Sequence, residues 1–255
     1  MNSLQYVIAN LSHQKQIVVY CFMFLRQRSN KKELLDNDDI PFDDIKQNMQ
    51  ELDFINTWLG GHNITIAGIQ KILAGNNKTG KTYTICEIGC GGGDNLAAID
   101  KWAKKNGYTL QLIGIDKKKE CIDFAKEKIA DARYTWINSS YEAANLNNTK
   151  PDIVFSSLFC HHFTSNELVY MMQWMQRNST MGFFINDLHR HFLAFFSIKY
   201  LTKLFSKSYL VRQDAPLSVA RGFVKKDWQH IMQQSGIQHY SIEWKWAFRW
   251  LITAK

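Results

Sequence analysis

The sequence predicts an α/β protein: a seven-stranded, mostly parallel sheet between two layers of helices, with a helical extension ahead of it. Three observations carry this. From about residue 80, short apolar runs alternate with longer amphipathic segments, the pattern of a parallel sheet covered on both faces. The first of those runs ends in a glycine-dense turn that leads straight into a helical pattern. Only 3 prolines interrupt 255 residues, and 45% of the chain is hydrophobic, so long linkers are disfavoured and a large core is available.

The elements follow in order. Ile17–Leu25 is an apolar run with Arg26, Arg28, Lys31 and Lys32 behind it. It is too short to cross a bilayer. It lacks the basic start and small-residue cleavage site of a leader. It reads as an amphipathic helix or a loosely attached extension. Pro41 opens a helical pattern with Ile45, Met49, Leu52, Ile55 and Leu59 on one face, and Gly60-Gly61 closes it. Residues 64–73 suggest a second helix. Residues 1–75 are therefore an N-terminal helical extension or cap, and 76–255 the main domain.

Strands are expected at Tyr83–Ile88, Leu110–Ile115, Tyr134–Asn138, Asp152–Ser157 and Met181–Asn186, with helices over Asn95–Asn106, Lys118–Ile129 and the stretch after Thr164. Thr164-Ser165-Asn166-Glu167 is a capping-box signature. After the fifth strand, residues 189–220 read as an inserted pair of helices, with Arg212, Asp214 and Arg221 on a loop around Pro216. Lys225–Ser235 resumes a helix. Gln238–Trp244 and Phe248–Ala254 are two last strands, antiparallel neighbours.

The 5 cysteines (21, 86, 90, 121 and 160) include no Cys-x-x-Cys pair, so neither a disulfide framework nor a zinc finger is indicated. A reducing cytoplasm is the simplest compartment. The net charge of +8 lies wholly at the C-terminal end, where residues 189–255 hold 11 basic and 3 acidic side chains. Within 191–207, Lys199, Lys203 and Lys207 share one helix face opposite Phe and Leu residues. Core packing, a lid over an apolar acceptor and peripheral membrane contact all suit that pattern.

The chemistry is concentrated at Glu87-Ile-Gly-Cys-Gly-Gly-Gly93. The spacing Glu-x-Gly-x-Gly-x-Gly departs from the dinucleotide fingerprint, since Asp94 stands where its third glycine belongs, and the loop lacks the Gly-Lys-Ser/Thr of a phosphate loop. Glycines 89, 91 and 93 let backbone approach a ligand closely, and the helix behind them turns free N–H groups toward it. Glu87 is placed to accept from an ammonium or a hydroxyl. One βα unit later, Asp116 ends the second strand, a position that equally suits a helix cap.

Glu87–Gly93 followed by Asp116 resembles motif I and the strand-2 acid of the class I, Rossmann-like S-adenosylmethionine-dependent methyltransferases of small-molecule type. The resemblance covers roughly residues 80–255 and implies an antiparallel last strand. It also implies S-adenosylmethionine as cofactor, held by Glu87, Gly89, Cys90, Gly91, Gly93 and Asn95 around the loop. Asp116 and Lys117 lie at the ribose, Ser139, Ser140 and Tyr141 at the adenine, and Ser157 and Leu158 beside the methionine part. Many family members carry an acid where this chain has Ser140, which is a departure. His162 matches the family's His after strand 4. Its implied role is general base, with His161 and His189 as rivals and Asp187 as the orienting acid. Asp187, His189 and Arg190 together suit either an acceptor site or a loop that caps the insert.

The implied activity is methyl transfer to an apolar, phenolic small molecule, O-methylation foremost. Carbon methylation of the quinone-biosynthesis type and a non-catalytic cofactor-binding partner remain alternatives. Neither the Asn/Asp-Pro-Pro-aromatic loop of base amino methylation nor a nucleophilic Cys after Pro is present, so nucleic acid is not the expected substrate. Ser156-Ser157 and Asn186-Asp187 do not match the acids of the metal-dependent relatives, so no metal is expected.

Overall fold

The computed structural model describes residues 25–37, 39–75, 80–146 and 150–255. The apolar run that begins at Ile17 lies outside them up to residue 24. In chain order the first elements are α1 (Phe42–Trp58), α2 (Gly61–Leu73), β1 (Thr82–Ile88), α3 (Asp94–Lys105), β2 (Thr109–Asp116), α4 (Lys119–Lys128), β3 (Tyr134–Asn138) and β4 (Ile153–Ser157). Then come α5 (Ser165–Arg177), β5 (Gly182–Leu188), α6 (Phe192–Phe205), α7 (Tyr209–Arg221), α8 (Lys225–Gln234), β6 (Tyr240–Lys245) and β7 (Arg249–Ala254). Short 3-10 turns cover Leu34–Asp36 and Cys160–His162.

The seven strands form one sheet in the order β3-β2-β1-β4-β5-β7-β6. β7 runs antiparallel to both β5 and β6, and the other pairings are parallel. The period of two divides the core. Ile85, Phe155, Phe184 and Leu251 point to the layer built by α2 and α3. Cys86, Val154, Ile185 and Ile252, each one residue away from these, point to the layer of α5 and α8. Phe155 and Phe184 stack at 4.9 Å across neighbouring strands, both fully buried. Each such ring contributes about 1.5–3 kcal/mol by burial.

The strand order reverses between β1 and β4, and their carboxyl ends frame the cleft where ligands bind in sheets of this kind. Three departures from the sequence expectation matter there. β5 does not stop at Asn186. Its ladder with β7 continues through Asp187↔Trp250 and Leu188↔Arg249, so Asp187 stands inside a strand instead of on a polar loop. Pro216 lies within α7, not in a loop. Proline normally weakens a helix interior, but tertiary contacts hold this one: Asp214 accepts from the Leu34 and Leu35 amides, and Ser218 donates to Glu33. Finally, α6 leaves Leu193, Tyr200, Leu201, Leu204 and Phe205 exposed, so its apolar face is not core.

Candidate active site

The glycine loop is built by backbone. Gly89 and Cys90 both donate their N–H to the Ile115 carbonyl (2.8 and 3.1 Å), which ties the loop to the end of β2. Gly89 has φ +68°, and a Cβ there would meet the Phe159 ring at 2.3 Å. Gly91, at φ +49°, has open space where its Cβ would be, and its N–H donates to Asp116 Oδ2 at 2.9 Å. Asp116 Oδ1 accepts from the Lys118 N–H at 2.9 Å. The carboxylate thus caps the following helix and braces the loop at once. Gly93 caps α3 in the left-handed region.

Beside this loop lies a cavity of about 180 Å³. Gly89, Asp116, Lys117, Ser139, Ser140 and Tyr141, all expected at the cofactor, line it together with Ile115, Glu142, Phe159 and Phe163. Tyr141 is buried edge-on against Trp174 and Phe163. Cys90 contributes through its backbone, because its side chain is buried in the core beside Gly114.

Glu87 is fully buried. Its Oε1 accepts from Asn95 Nδ2 at 2.9 Å, and Oε2 has no partner among the described residues. Burial pushes this carboxyl well above the usual carboxylate range. The Asn95 oxygen bonds His62 Nδ1 (3.0 Å), and His62 Nε2 meets Asp53 (3.1 Å). Ser157 accepts from Asn186, and Leu158, at φ +54°, donates its N–H to the Asn186 carbonyl.

The two histidines after β4 do not line this cavity, but the His162 ring lies near that of Phe159, which does. His161 Nδ1 lies 2.8 Å from Asp187 Oδ1, and His162 Nδ1 lies 3.1 Å from Asp36 Oδ1. Burial works against charge on both acids, but the imidazoles outweigh it and hold both carboxyls below their usual range. The Nε2 atoms face Glu33, at 3.6 Å for His161 and 3.7 Å for His162. Burial raises the Glu33 carboxyl. Arg221 fixes the turn by donating Nε–H to the His161 carbonyl (3.0 Å) and Nη2–H to that of His162 (2.8 Å). Arg28 donates to the Phe163 carbonyl (2.9 Å) and lies over the Phe223 ring.

Residues 85–182 match the family model described as a methyltransferase domain. That segment, which carries the glycine loop, Asp116 and the histidine turn, is similar to methyltransferase domains. Among solved structures, the plantazolicin methyltransferase BpumL in complex with SAH is similar at a TM-score of 0.64 and 14% identity, over 94% of this chain and 100% of that one. A SAM-dependent methyltransferase of Leishmania major gives 0.52 and 14%, over 92% and 81%. The magnesium protoporphyrin IX methyltransferase of Synechocystis PCC 6803, with bound SAH, gives 0.50 and 14%, over 79% and 86%. At these identities the likeness concerns the fold. A comparison with curated proteins gives no match.

Within the methyltransferase domain, the structure re-pairs the catalytic candidates. Asp187 holds His161, not His162, because β5 runs on far enough to carry the acid under the buried ring. His189 stands apart from both. It accepts from Trp244 Nε1 at 3.2 Å, packs on Trp250 and His191, and is pushed down to about 4 by burial. Arg190 bonds the Gly222 carbonyl and Asp227. Asp187, His189 and Arg190 therefore do not form one acceptor site. Glu33, Asp36, Arg28, Glu142, His62 and Asp53 had not been expected there. Glu142 directly follows Tyr141 in the chain, whereas the others reach the site through tertiary contacts that carry no local spacing signal.

Proposed function

We propose that this methyltransferase moves a methyl group to a hydroxyl of an apolar, phenolic small molecule. The observation that carries the reading is the position of the imidazole pair. His161 and His162 stand immediately behind Phe159 and Phe163, which line the cofactor cavity, and the His162 ring centroid lies 6.2 Å from that of Phe159.

The residues present fit an adenosyl cofactor. The backbone at Gly91 is open, the cavity is walled by Asp116 and Tyr141, and the buried Glu87 Oε2 is free to accept from an ammonium. Asp116 is assigned to the ribose hydroxyls, its own position fixed by the Gly91 and Lys118 amides. Lys117, Ser139, Ser140 and Tyr141 are assigned to the ribose–adenine side. Glu142, on the same wall, supplies an acid two residues beyond the one the family pattern lacks at Ser140. Glu87, with Asn95 behind it, is assigned to the methionine ammonium, and Ser157 and Leu158 to the neighbouring wall. When bound, the cofactor supplies a methyl group already activated on a sulfonium.

The chain's task is then alignment and activation of the acceptor. Its hydroxyl is held and ionised at the His161–His162 pair. Asp187 and Asp36 fix the two rings, and Phe159 and Phe163 flank the aromatic body. The exposed apolar face of α6 supports an acceptor that is itself apolar and drawn from a lipid-rich surface. No helix among the described residues is long and apolar enough to cross a membrane.

The experiment is transfer of labelled methyl to a panel of phenols, quinols and lipid extracts, with the product bond located by mass spectrometry. An O-methyl product is expected. A C-methyl product replaces the oxygen assignment, and no transfer to any phenol or quinol removes it.

A further inference from the structure

Glu33, His161 and His162 bring three potential ligand atoms within 4.8 Å of one another. Their chemistry constrains what lies among them. An ionised carboxylate only accepts hydrogen bonds, so the Nδ1 facing Asp187 and the Nδ1 facing Asp36 each carry the ring hydrogen. That leaves both Nε2 atoms turned toward the Glu33 carboxyl. Lone pairs facing a carboxylate repel unless a cation stands between them.

Two protons could supply that charge, but the distances speak against it. Charged N–H···O⁻ bonds close to roughly 2.7–2.9 Å. Here both contacts stop at 3.6 and 3.7 Å. Two donors bound to one ion at about 2.1 Å in tetrahedral geometry lie ~3.4 Å apart. The two contacts, His161 to Glu33 Oε1 and His162 to Glu33 Oε2, are close to that, and the three ligand atoms lie within 4.8 Å of one another. The surroundings match as well. Each imidazole is backed by a carboxylate through its other nitrogen, the arrangement that orients a metal-binding histidine. Glu33 is held on its flank by the Ser218 hydroxyl at 2.9 Å.

Charge counting agrees. Glu33, Asp36, Asp187 and Asp214 gather around the pair, and Arg221, Arg28 and, beside Asp187, Arg249 are the guanidinium groups that face them. The acids outnumber the guanidinium groups by one. Arg221 lies 3.9 Å from Glu33, beyond hydrogen-bond range, with its donors committed to the His161, His162 and Lys31 carbonyls. It does not occupy the space among the three ligand atoms.

We propose that Glu33 and the Nε2 atoms of His161 and His162 bind one divalent first-row transition-metal ion, leaving a coordination position for the acceptor's oxygen. Imidazole nitrogen with a single carboxylate suits zinc, iron(II) or manganese(II) better than magnesium or calcium. The ion would polarise a bound phenolic hydroxyl and lower its pKa, so that its proton could pass to water. This use of the ion rests on the methyl-transfer reading above; its binding does not.

The test uses the full chain, stripped with chelator and titrated with zinc by calorimetry, with cobalt(II) absorption as a second readout. One zinc per chain and a tetrahedral cobalt spectrum are expected. Glu33→Gln and His162→Gln should each weaken binding at least about 100-fold, and Asp187→Asn about 10–100-fold. SAH affinity should stay unchanged in all three, which shows that the variants remain folded. Absent stoichiometric uptake, or uptake equal in wild type and the Glu33→Gln/His162→Gln double variant, overturns the proposal. Zinc bound without methyl transfer to any phenol sinks the functional reading and leaves the site standing. Methyl transfer indifferent to chelation, with no uptake, does the reverse.

Discussion

The two sides of the cleft, the one assigned to the cofactor and the one assigned to the acceptor, are built on opposite principles. The cofactor side is backbone. Loop amides at Gly89, Cys90 and Gly91 bond the end of β2, and one carboxylate, Asp116, is held by two N–H groups. The residues involved are close in sequence. The acceptor side is made of charged side chains drawn from residues 28–36, the turn after β4, the end of β5 and α7. A backbone cradle serves a ligand that never changes. A side-chain cluster can be rebuilt for a new acceptor while the cradle stays intact. Changes on the two sides should therefore separate: one set should act on cofactor affinity, the other on turnover.

The largest expected effect is on the cofactor side. Asp116→Ala removes the carboxylate assigned to the ribose and the brace of the loop, and should weaken SAH binding about 100-fold, ~2.7 kcal/mol. Unchanged affinity by calorimetry would break the contrast at its root. Next is Arg221→Met, on the acceptor side. It frees the carbonyls of His161 and His162 and leaves Asp36 and Glu33 without a facing guanidinium. Turnover should fall roughly tenfold or more, about 1.4 kcal/mol or above, with SAH affinity nearly constant. A matching loss of both would show that the two halves are one unit.

Gly89→Ala sharpens the boundary between them. Its Cβ would press on Phe159, a ring shared by the cavity and the histidine turn. A stability loss of about 1–3 kcal/mol in chemical denaturation is expected, with cofactor affinity and turnover both reduced. The smallest effect concerns His189, which belongs to neither half. Unfolded, it takes a proton near pH 6.5; folded, only at about 4. Between those values the unfolded chain binds more protons, so stability falls as pH drops. With its partial exposure, the loss is about 1 kcal/mol. His189→Phe should flatten that slope in denaturation midpoints without altering SAH affinity.

The same contrast explains what the sequence made legible. The glycine loop, Asp116 and the alternation of strands and helices are local signals, and the structure places each within one or two residues of its expected position. The histidine pair and Asp187 were also visible, but their pairing was not. It depends on β5 running on to Leu188, which is decided by its β7 partner. Glu33 and Asp36 had no signal at all, and Arg221 was visible only as one of the charged residues around Pro216. They lie in segments whose apolar periodicity says nothing of the cluster, and only the packing of α7 on the 34–36 turn brings them together. Pro216 misled for the same reason, since a local helix breaker was overruled by distant partners.

β7 has a practical consequence. The last six residues before Lys255 form an interior strand, paired on both edges and completely buried. Losing these residues would unzip the sheet between β5 and β6. Because the strand runs against its neighbours, it begins beside Leu188 at the cleft and finishes beside Phe183 at the opposite rim. Changes at the Ala254 end of the strand therefore fall at the rim away from the chemistry, and changes at the Arg249 end fall beside the cleft.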